Sequence, residues 1–377
     1  MKHTVFHKLA ELGQSAWLDN ISRTMILEGK IKEMVIIGLR GITSNPTIFD
    51  KAVSRSNAYD EQIKKLCREG KASFDIYDEL TIKDIQDAAD ILMPVYEETR
   101  GLDGYVSLEI DPRLAYDARK TIEEGRRLYK KVNRANAMYK VPSTKEGFMA
   151  TEELLASGIN INITLIFSPE QYVNTANAYL KGIKRYIESG GDAVKVSSVA
   201  SIFVSRIDTL VDKLIDGLIE KAQTKQEREI SHSMRGKAAI ANAHIIYKKF
   251  REIFSSVEFL ELKDKGARLQ RPLWGSTSTK DPAYSDIKYV TQLIAKDTVN
   301  TMPNATFEAF LNHGSAKEIL TEDLQDAPEI IERLKECGID MNKVCAQLLK
   351  DGVVSFKDSF NSLLKSIEEK MKIRCKA

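Results

Sequence analysis

Lys140, Glu109 and Asp19 occupy matching places in three short apolar segments. In residues 136–142 (NAMYKVP), Lys140 shares a face with Asn136 and Met138, and Pro142 then ends the run. In 105–110 (YVSLEI), Val106, Leu108 and Ile110 form the apolar face and Glu109 lies on the other. In 15–19 (SAWLD), Asp19 shares the face of Ser15 and Trp17 at the segment's end. A fourth segment, 158–166 (GININITLI), alternates strictly: Ile159, Ile161, Ile163 and Leu165 oppose Asn160, Asn162 and Thr164, the period of a strand. A lysine held inside a closed barrel loses hydration, which disfavours the ammonium. Its free amine can attack a ketone or aldehyde and form a Schiff base. The iminium is an electron sink, so the adjacent C–C bond can break without a metal. Asp19 and Glu109 could divide the proton transfers, and the asparagines could hold substrate hydroxyls.

Each feature alone has a plainer reading. One charged strand end is most often a solvated edge, and the polar face of 158–166 suits a partly solvated antiparallel strand. The shared parity of all four segments is what favours a common interior. Lys145 and Lys195 are the competing nucleophiles, but Lys145 begins a helix on an exposed side and Lys195 sits in a strand of unclear parity.

These side chains need a frame that gathers strand ends. Apolar runs alternate with charged stretches of helical period, predicting strands over 15–19, 35–43, 104–110, 135–141, 158–166, 193–199, 271–276 and 299–302. Helices are expected over 61–98, 114–132, 170–187 and 207–222. Ser168, Pro169 and Gln171 make a helix start, with Ser168 as N-cap and Gln171 closing a capping box. About eight strand–helix units predict an α/β fold, a (β/α)8 TIM barrel, with a doubly wound open sheet as the alternative. In such a barrel, active sites gather at the C-terminal strand ends. Two helical segments exceed the eight units, an excursion at 224–261 and a C-terminal extension at 316–377 expected to pack on the barrel within a single domain, 1–377.

Composition narrows the classes further. The 377 residues carry 56 Lys+Arg against 54 Asp+Glu, a net charge of +2, with 43% hydrophobic residues. That balance argues against a nucleic-acid or membrane-surface binder, and the basic run 225–237 contains Glu227 and Glu229 and reads as solvated helix or loop. Apolar runs such as 34–37 (MVII) fall far short of the ~20 residues of a membrane span. His3, His7, His232, His244 and His313 are not paired like ligands on one helical face, which weakens zinc chemistry and leaves no metal expected. Cys67, Cys337, Cys345 and Cys375 form no CxxC pair, and with no signal peptide they read as four free thiols in a reducing cytoplasm. The sequons at Asn20, Asn162 and Asn304 then read as accidental. No Walker loop, GxGxxG, HExxH or GxSxG motif occurs, so nucleotide, zincin and serine-hydrolase readings lack support.

Longer motifs add a resemblance. Residues 41–48 (GITSNPTI) resemble the TSNP signature of transaldolases, and 139–147 (YKVPSTKEG) resemble their Schiff-base lysine segment. Residues 158–168 (GININITLIFS) are similar to the strand that follows. Further matches are 106–117 (VSLEIDPRLAYD), 200–208 (ASIFVSRID), 274–282 (WGSTSTKDP) and 300–307 (NTMPNATF), all in family order. The tail and the WGSTSTKDP form look like the long bacterial-type branch.

The resemblance implies a barrel that transfers a dihydroxyacetone unit between sugar phosphates of the pentose phosphate pathway, without a cofactor. Position by position it implies Lys140 as the Schiff-base nucleophile and Asp19 as the base for the C4 hydroxyl proton. It implies Glu109 as an acid/base working through a water near Thr164. Asn45, Asn162 and Ser201 would hold the dihydroxyacetone moiety, and Arg206 and Ser276 the phosphate. Where shorter members carry a second phosphate arginine, this sequence offers Lys280, which supplies charge but no bidentate fork. Arg206 as a helix-start ion pair and Lys280 as a solvated loop lysine are the structural alternatives. An aldolase releasing free dihydroxyacetone, or a non-catalytic sugar-phosphate binder, remains compatible with the same residues. Nothing in the sequence selects a homodimer over a monomer.

Overall fold

The computed structural model describes residues 3–319 and 326–374. Eight strands close into a parallel barrel in chain order: β1 (Gln14–Leu18), β2 (Gly41–Thr43), β3 (Tyr105–Glu109), β4 (Ala137–Pro142), β5 (Ile161–Ile166), β6 (Ser198–Phe203), β7 (Arg271–Gly275) and β8 (Thr298–Met302). β8 pairs back onto β1, so no edge is left open. Around them run α1 (Val5–Glu11), α2 (Arg23–Leu27), α3 (Lys30–Ile36), α4 (Pro46–Arg55), α5 (Asp60–Arg68), α6 (Ser73–Glu98), α7 (Ala118–Val132), α8 (Lys145–Leu155) and α9 (Pro169–Glu188). The second half adds α10 (Ser205–Lys221), α11 (Lys225–Ser233), α12 (Ala238–Phe254), α13 (Val257–Asp264), α14 (Lys288–Thr291), α15 (Asn304–His313), α16 (Asp326–Glu336) and α17 (Met341–Arg374). The architecture is thus the expected TIM barrel with additional helices. Among the described residues no helix is long and apolar enough to cross a membrane.

The parity read from the sequence sorts the interior into layers. Trp17, Tyr105, Met138, Val199, Leu273 and Val299 pack together as a separate apolar cluster, while their strand neighbours such as Ile42, Val106, Tyr139, Ile161 and Ala200 join the large core under the helices. Gly41 belongs to the inner face because a Cβ there would fall inside the Trp17 indole. Beneath this apolar layer lies a buried ion pair, Arg271 Nη2 to Asp103 Oδ1 at 2.8 Å, with Ser15 bridging both side chains. The polar layer at the C-terminal strand ends is the candidate site.

Some expectations need correction. Residues 35–36 end α3 rather than begin β2, because a turn at Gly38, whose φ is 110°, breaks the apolar run. The sixth strand is 198–203, not 193–199: Asp192 caps a single 3-10 turn at Ala193–Lys195 instead. Serine-rich polarity masked the true strand, and Lys195 lies exposed in that turn. The strict alternation of 158–166 ends at Thr164, since Leu165 has a φ of 60° and the register with β6 shifts between Ile163 and Ile166. Such a bulge re-aims side chains at a barrel rim. Cys67 is disulfide-bonded, so it is not the free thiol expected, whereas Cys337 and Cys345 are free; scattered spacing does not reveal which thiols meet. Cys375 and the tail at 320–325 lie outside the described residues. The capping box at Ser168 and Gln171 is present, and Lys145 is exposed at the start of α8.

Candidate active site

Strand pairing sets the core of the site. Glu109 lies beside Lys140, and Lys140 beside Asn162, in the β3–β4–β5 register. All three point inward, so a chain with one residue per rung brings them together. Lys140 Nζ stands 2.9 Å from Glu109 Oε2, both side chains 5% exposed. Glu109 Oε2 nonetheless lacks an aligned hydrogen bond, so the contact is an ion pair without good directionality. Nζ also donates to the Ser44 carbonyl at 3.0 Å.

A cavity of about 360 Å³ opens above this pair. Eight of the ten expected site residues line it: Asp19, Asn45, Lys140, Thr164, Ser201, Arg206, Ser276 and Lys280. Glu109 and Asn162 sit just behind, Glu109 through Lys140 and Asn162 through the Ser201 hydroxyl, which donates to its Oδ1 at 2.6 Å. Asn162 Nδ2 in turn donates to Ser107 Oγ at 3.1 Å. Asn45 caps α4, accepting from the Ile48 amide at 3.1 Å, which fixes its amide at the rim. Thr164 Oγ1 is buried and has no hydrogen-bond partner among the described residues, a group left for water or substrate.

Electrostatics divide the cavity into two ends. At one end are the carboxyls. Burial raises the pKa of Asp19 above the usual carboxylate range, outweighing Lys140, the 2.7 Å hydrogen bond from Thr43 and Arg206. Burial likewise raises Glu109, against the attraction of Lys140 and helped by the negative charge of Asp19. Two carboxyls whose pKa values burial has raised, set near one amine, hold a proton more readily than exposed carboxylates do and can pass it on.

At the other end are cations. Arg206 leads α10, its Cζ 5.2 Å from the Phe203 ring centroid, and burial lowers its pKa, with Asp19 opposing. No ion-pair partner holds its guanidinium among the described residues, so the helix-start ion pair is not what occupies it. Lys280 stands exposed at the rim and donates to Ser278 Oγ at 2.7 Å. Partial burial, then the charges of Arg206 and Lys51, lower its pKa. Cations that repel one another across a cavity define an anion subsite. Ser276, at φ 54°, turns the loop after β7 toward it, its hydroxyl 3.0 Å from Ser205 Oγ. Ordinary residues hold such a backbone only where the surroundings impose it.

Three contributors escaped the sequence. Lys51 lines the cavity from α4, but a lysine on an exposed helix face carries no signal. Ser44 acts through its carbonyl, which any residue owns. Phe356 comes from α17, and its ring centroid lies 5.6 Å from Lys140 Nζ, a contact no local pattern announces. Among the described residues no three His, Cys, Asp or Glu side chains gather as a metal site would need.

Known proteins resemble this chain over nearly its whole length. The family model described as "Transaldolase/Fructose-6-phosphate aldolase" matches residues 16–367. A protein named "Transaldolase" from Trichodesmium erythraeum is 45% identical over 368 residues, covering 97% of both chains. "Transaldolase 2" from Nostoc sp. is 43% identical over 370 residues, again 97% of each. "Transaldolase" from Saccharopolyspora erythraea is 42% identical over 365 residues, 96% of each.

Proposed function

The chain belongs to the transaldolase/fructose-6-phosphate aldolase family, and on that premise we propose that it is a transaldolase. It moves a dihydroxyacetone unit from sedoheptulose 7-phosphate to glyceraldehyde 3-phosphate, giving erythrose 4-phosphate and fructose 6-phosphate. The observation that carries this reading is Lys140, buried at the barrel mouth 2.9 Å from a carboxylate, in a cavity with cations at its far side.

The steps follow from where the groups stand. Lys140 Nζ adds to the donor's ketone carbon, and Glu109 passes the protons that turn the carbinolamine into the iminium, by way of a water held near Thr164. Asp19 takes the C4 hydroxyl proton as the C3–C4 bond breaks, and the electrons of that bond move into the iminium. The shortened aldehyde leaves, and the enamine on Lys140 attacks the acceptor aldehyde by the reverse path. Asn45, Asn162 and Ser201 hold the hydroxyls of the three-carbon unit. Arg206, Ser276 and Lys280 hold the phosphate, with Lys51 added to the set.

The relatives are named transaldolases, which favours transfer over release of free dihydroxyacetone. A non-catalytic binder has no use for an amine between two carboxyls. We further propose that residues 1–377 act as one unit, tail included, as a monomer or homodimer. Its partners are small sugar phosphates rather than nucleic acid or membrane. Such charged metabolites do not cross membranes unaided, which supports the cytoplasm as the site of the work.

Borohydride reduction with fructose 6-phosphate, followed by peptide mapping, tests the assignment. The expected adduct is on Lys140, and Lys140→Arg abolishes both adduct and turnover, by about a thousandfold or more, while melting like the native chain. An adduct on another lysine, or none, overturns the mechanism.

A further inference from the structure

The longest helix, α17, is used by none of the steps above, yet it delivers an aromatic ring to the reacting nitrogen. Phe356 is 5% exposed. Its ring lies 5.6 Å from Lys140 Nζ and 6.3 Å from the ring of Phe203, which lines the same cavity. We propose that Phe356 decides whether the dihydroxyacetone unit is passed to a sugar aldehyde or lost to water. This inference rests on the Schiff-base role of Lys140.

The placement of the ring is built, not incidental. One turn before it, Gly352 lies in the helix interior, where glycine weakens a helix. A Cβ at that position would come 2.8 Å from Leu165 Cδ2, so the glycine lets α17 lie directly on the end of β5. After it, Ser359 Oγ accepts from Thr47 at 2.8 Å, and Ser362 donates to Asp50 at 2.8 Å. Both partners belong to α4, whose cap is Asn45. The helix is therefore pinned on both sides of Phe356.

The chemistry gives such a ring a task. Once the first aldehyde has left, Lys140 carries the three-carbon unit as an enamine. Attack on an acceptor aldehyde forms the new C–C bond. The competing path protonates the enamine carbon, adds one solvent water to the iminium carbon and breaks the C–N bond, freeing dihydroxyacetone and the Lys140 amine. Its net demand is one water, since the proton taken up by the carbon is released again when the iminium hydrolyses. A buried apolar ring centred 5.6 Å from the nitrogen takes space that water would otherwise fill on that side, and its face attracts the iminium charge. The opposite side stays open to the cavity, where only a phosphate-bearing aldehyde meets the cations.

The test compares Phe356→Ala, Phe356→Val and Phe356→Leu with the native enzyme, supplied with fructose 6-phosphate and erythrose 4-phosphate. The readout is free dihydroxyacetone per transfer event, with borohydride trapping mapped in each variant. Because this ratio does not depend on how much protein is folded, Phe356→Val carries the comparison if the alanine variant fails to fold. The expected result is trapping retained at Lys140, and a ratio raised about tenfold or more in the alanine variant and less in the valine variant. Leucine, which keeps the apolar bulk, is expected within about twofold of native. An unchanged ratio in the alanine and valine variants, or an equal rise in all three, overturns the proposal. A native enzyme that traps nothing at Lys140 instead overturns the Schiff-base reading, and this inference falls with it.

Discussion

Before any substrate arrives, Lys140 Nζ already faces two oxygens, Glu109 Oε2 at 2.9 Å and the Ser44 carbonyl at 3.0 Å. A carbonyl can only accept, whereas the raised pKa of Glu109 makes it a group that can give and take a proton. The two carboxyls are separated by their companions. Asp19 receives the Thr43 hydroxyl, which also meets Thr301 at 2.7 Å, while among the described residues Glu109 has only the lysine. Glu109→Gln keeps the shape and removes the proton exchange. Schiff-base formation, followed by single-turnover trapping, is expected to slow about a hundredfold, with substrate binding changed far less; an unchanged trapping rate removes Glu109 from the proton path. Lys140, Glu109, Asp19 and the asparagines were legible in the sequence because strand parity is a local property. Lys51 and the Ser44 carbonyl were not, since neither residue type at its place departs from an ordinary surface or turn.

The helices outside the minimal barrel hold the ends of the strands that carry the site. The Phe167 carbonyl, just beyond β5, accepts from Asn242 of α12 at 2.7 Å and from Cys345 of α17 at 3.3 Å. Asp208 and Asp212 of α10 accept the amides of Ala239 and Gly236 at 2.7 and 2.9 Å. Thus the excursion fixes the helix that begins beside Arg206. The excursion also carries a pH liability. Burial lowers the pKa of His244, on α12, from 6.5 to about 4, against a backbone contact at Gln292. The unfolded chain therefore binds a proton there that the folded one refuses between those two values. Stability is full above about pH 6.5 and falls as the pH drops toward 4, by about 3 kcal/mol from this one group. His244→Leu is expected to flatten that part of the profile in urea unfolding at a series of pH values. The same slope in both proteins refutes the assignment.

At the scale of the molecule, the two ends of the barrel have different work. The C-terminal end is a solvent-open cavity whose cations Lys51, Arg206 and Lys280 have no ion-pair partner among the described residues, and the N-terminal end is closed by Arg271 and Asp103, 5% and 6% exposed. Asp103 also accepts from Ser15 at 2.7 Å and Trp17 at 3.2 Å, so removing the arginine leaves a buried carboxylate short of its counter-charge. Arg271→Leu is expected to lower stability by about 3–5 kcal/mol while kcat/KM per folded molecule stays near native. A comparable fall in kcat/KM, measured well below the melting temperature, breaks the division between a structural and a chemical end.

The sequence by itself determined the barrel, the inward parity of Asp19, Glu109, Lys140 and Asn162, and the cap at Ser168. Alternation and capping act over a few residues, so the chain displays them without folding. It misplaced the second and sixth strands, where an apolar helix end mimicked a strand and serines hid one. Only the tertiary structure decided that Glu109 and Lys140 touch, because register is a relation between strands and not within one. It alone brought Lys51 and Arg206 to one cavity. It alone carried Phe356 from a distant helix to within 5.6 Å of the Lys140 nitrogen, since the packing of α17 on β5 depends on Gly352 meeting Leu165, residues far apart in the chain.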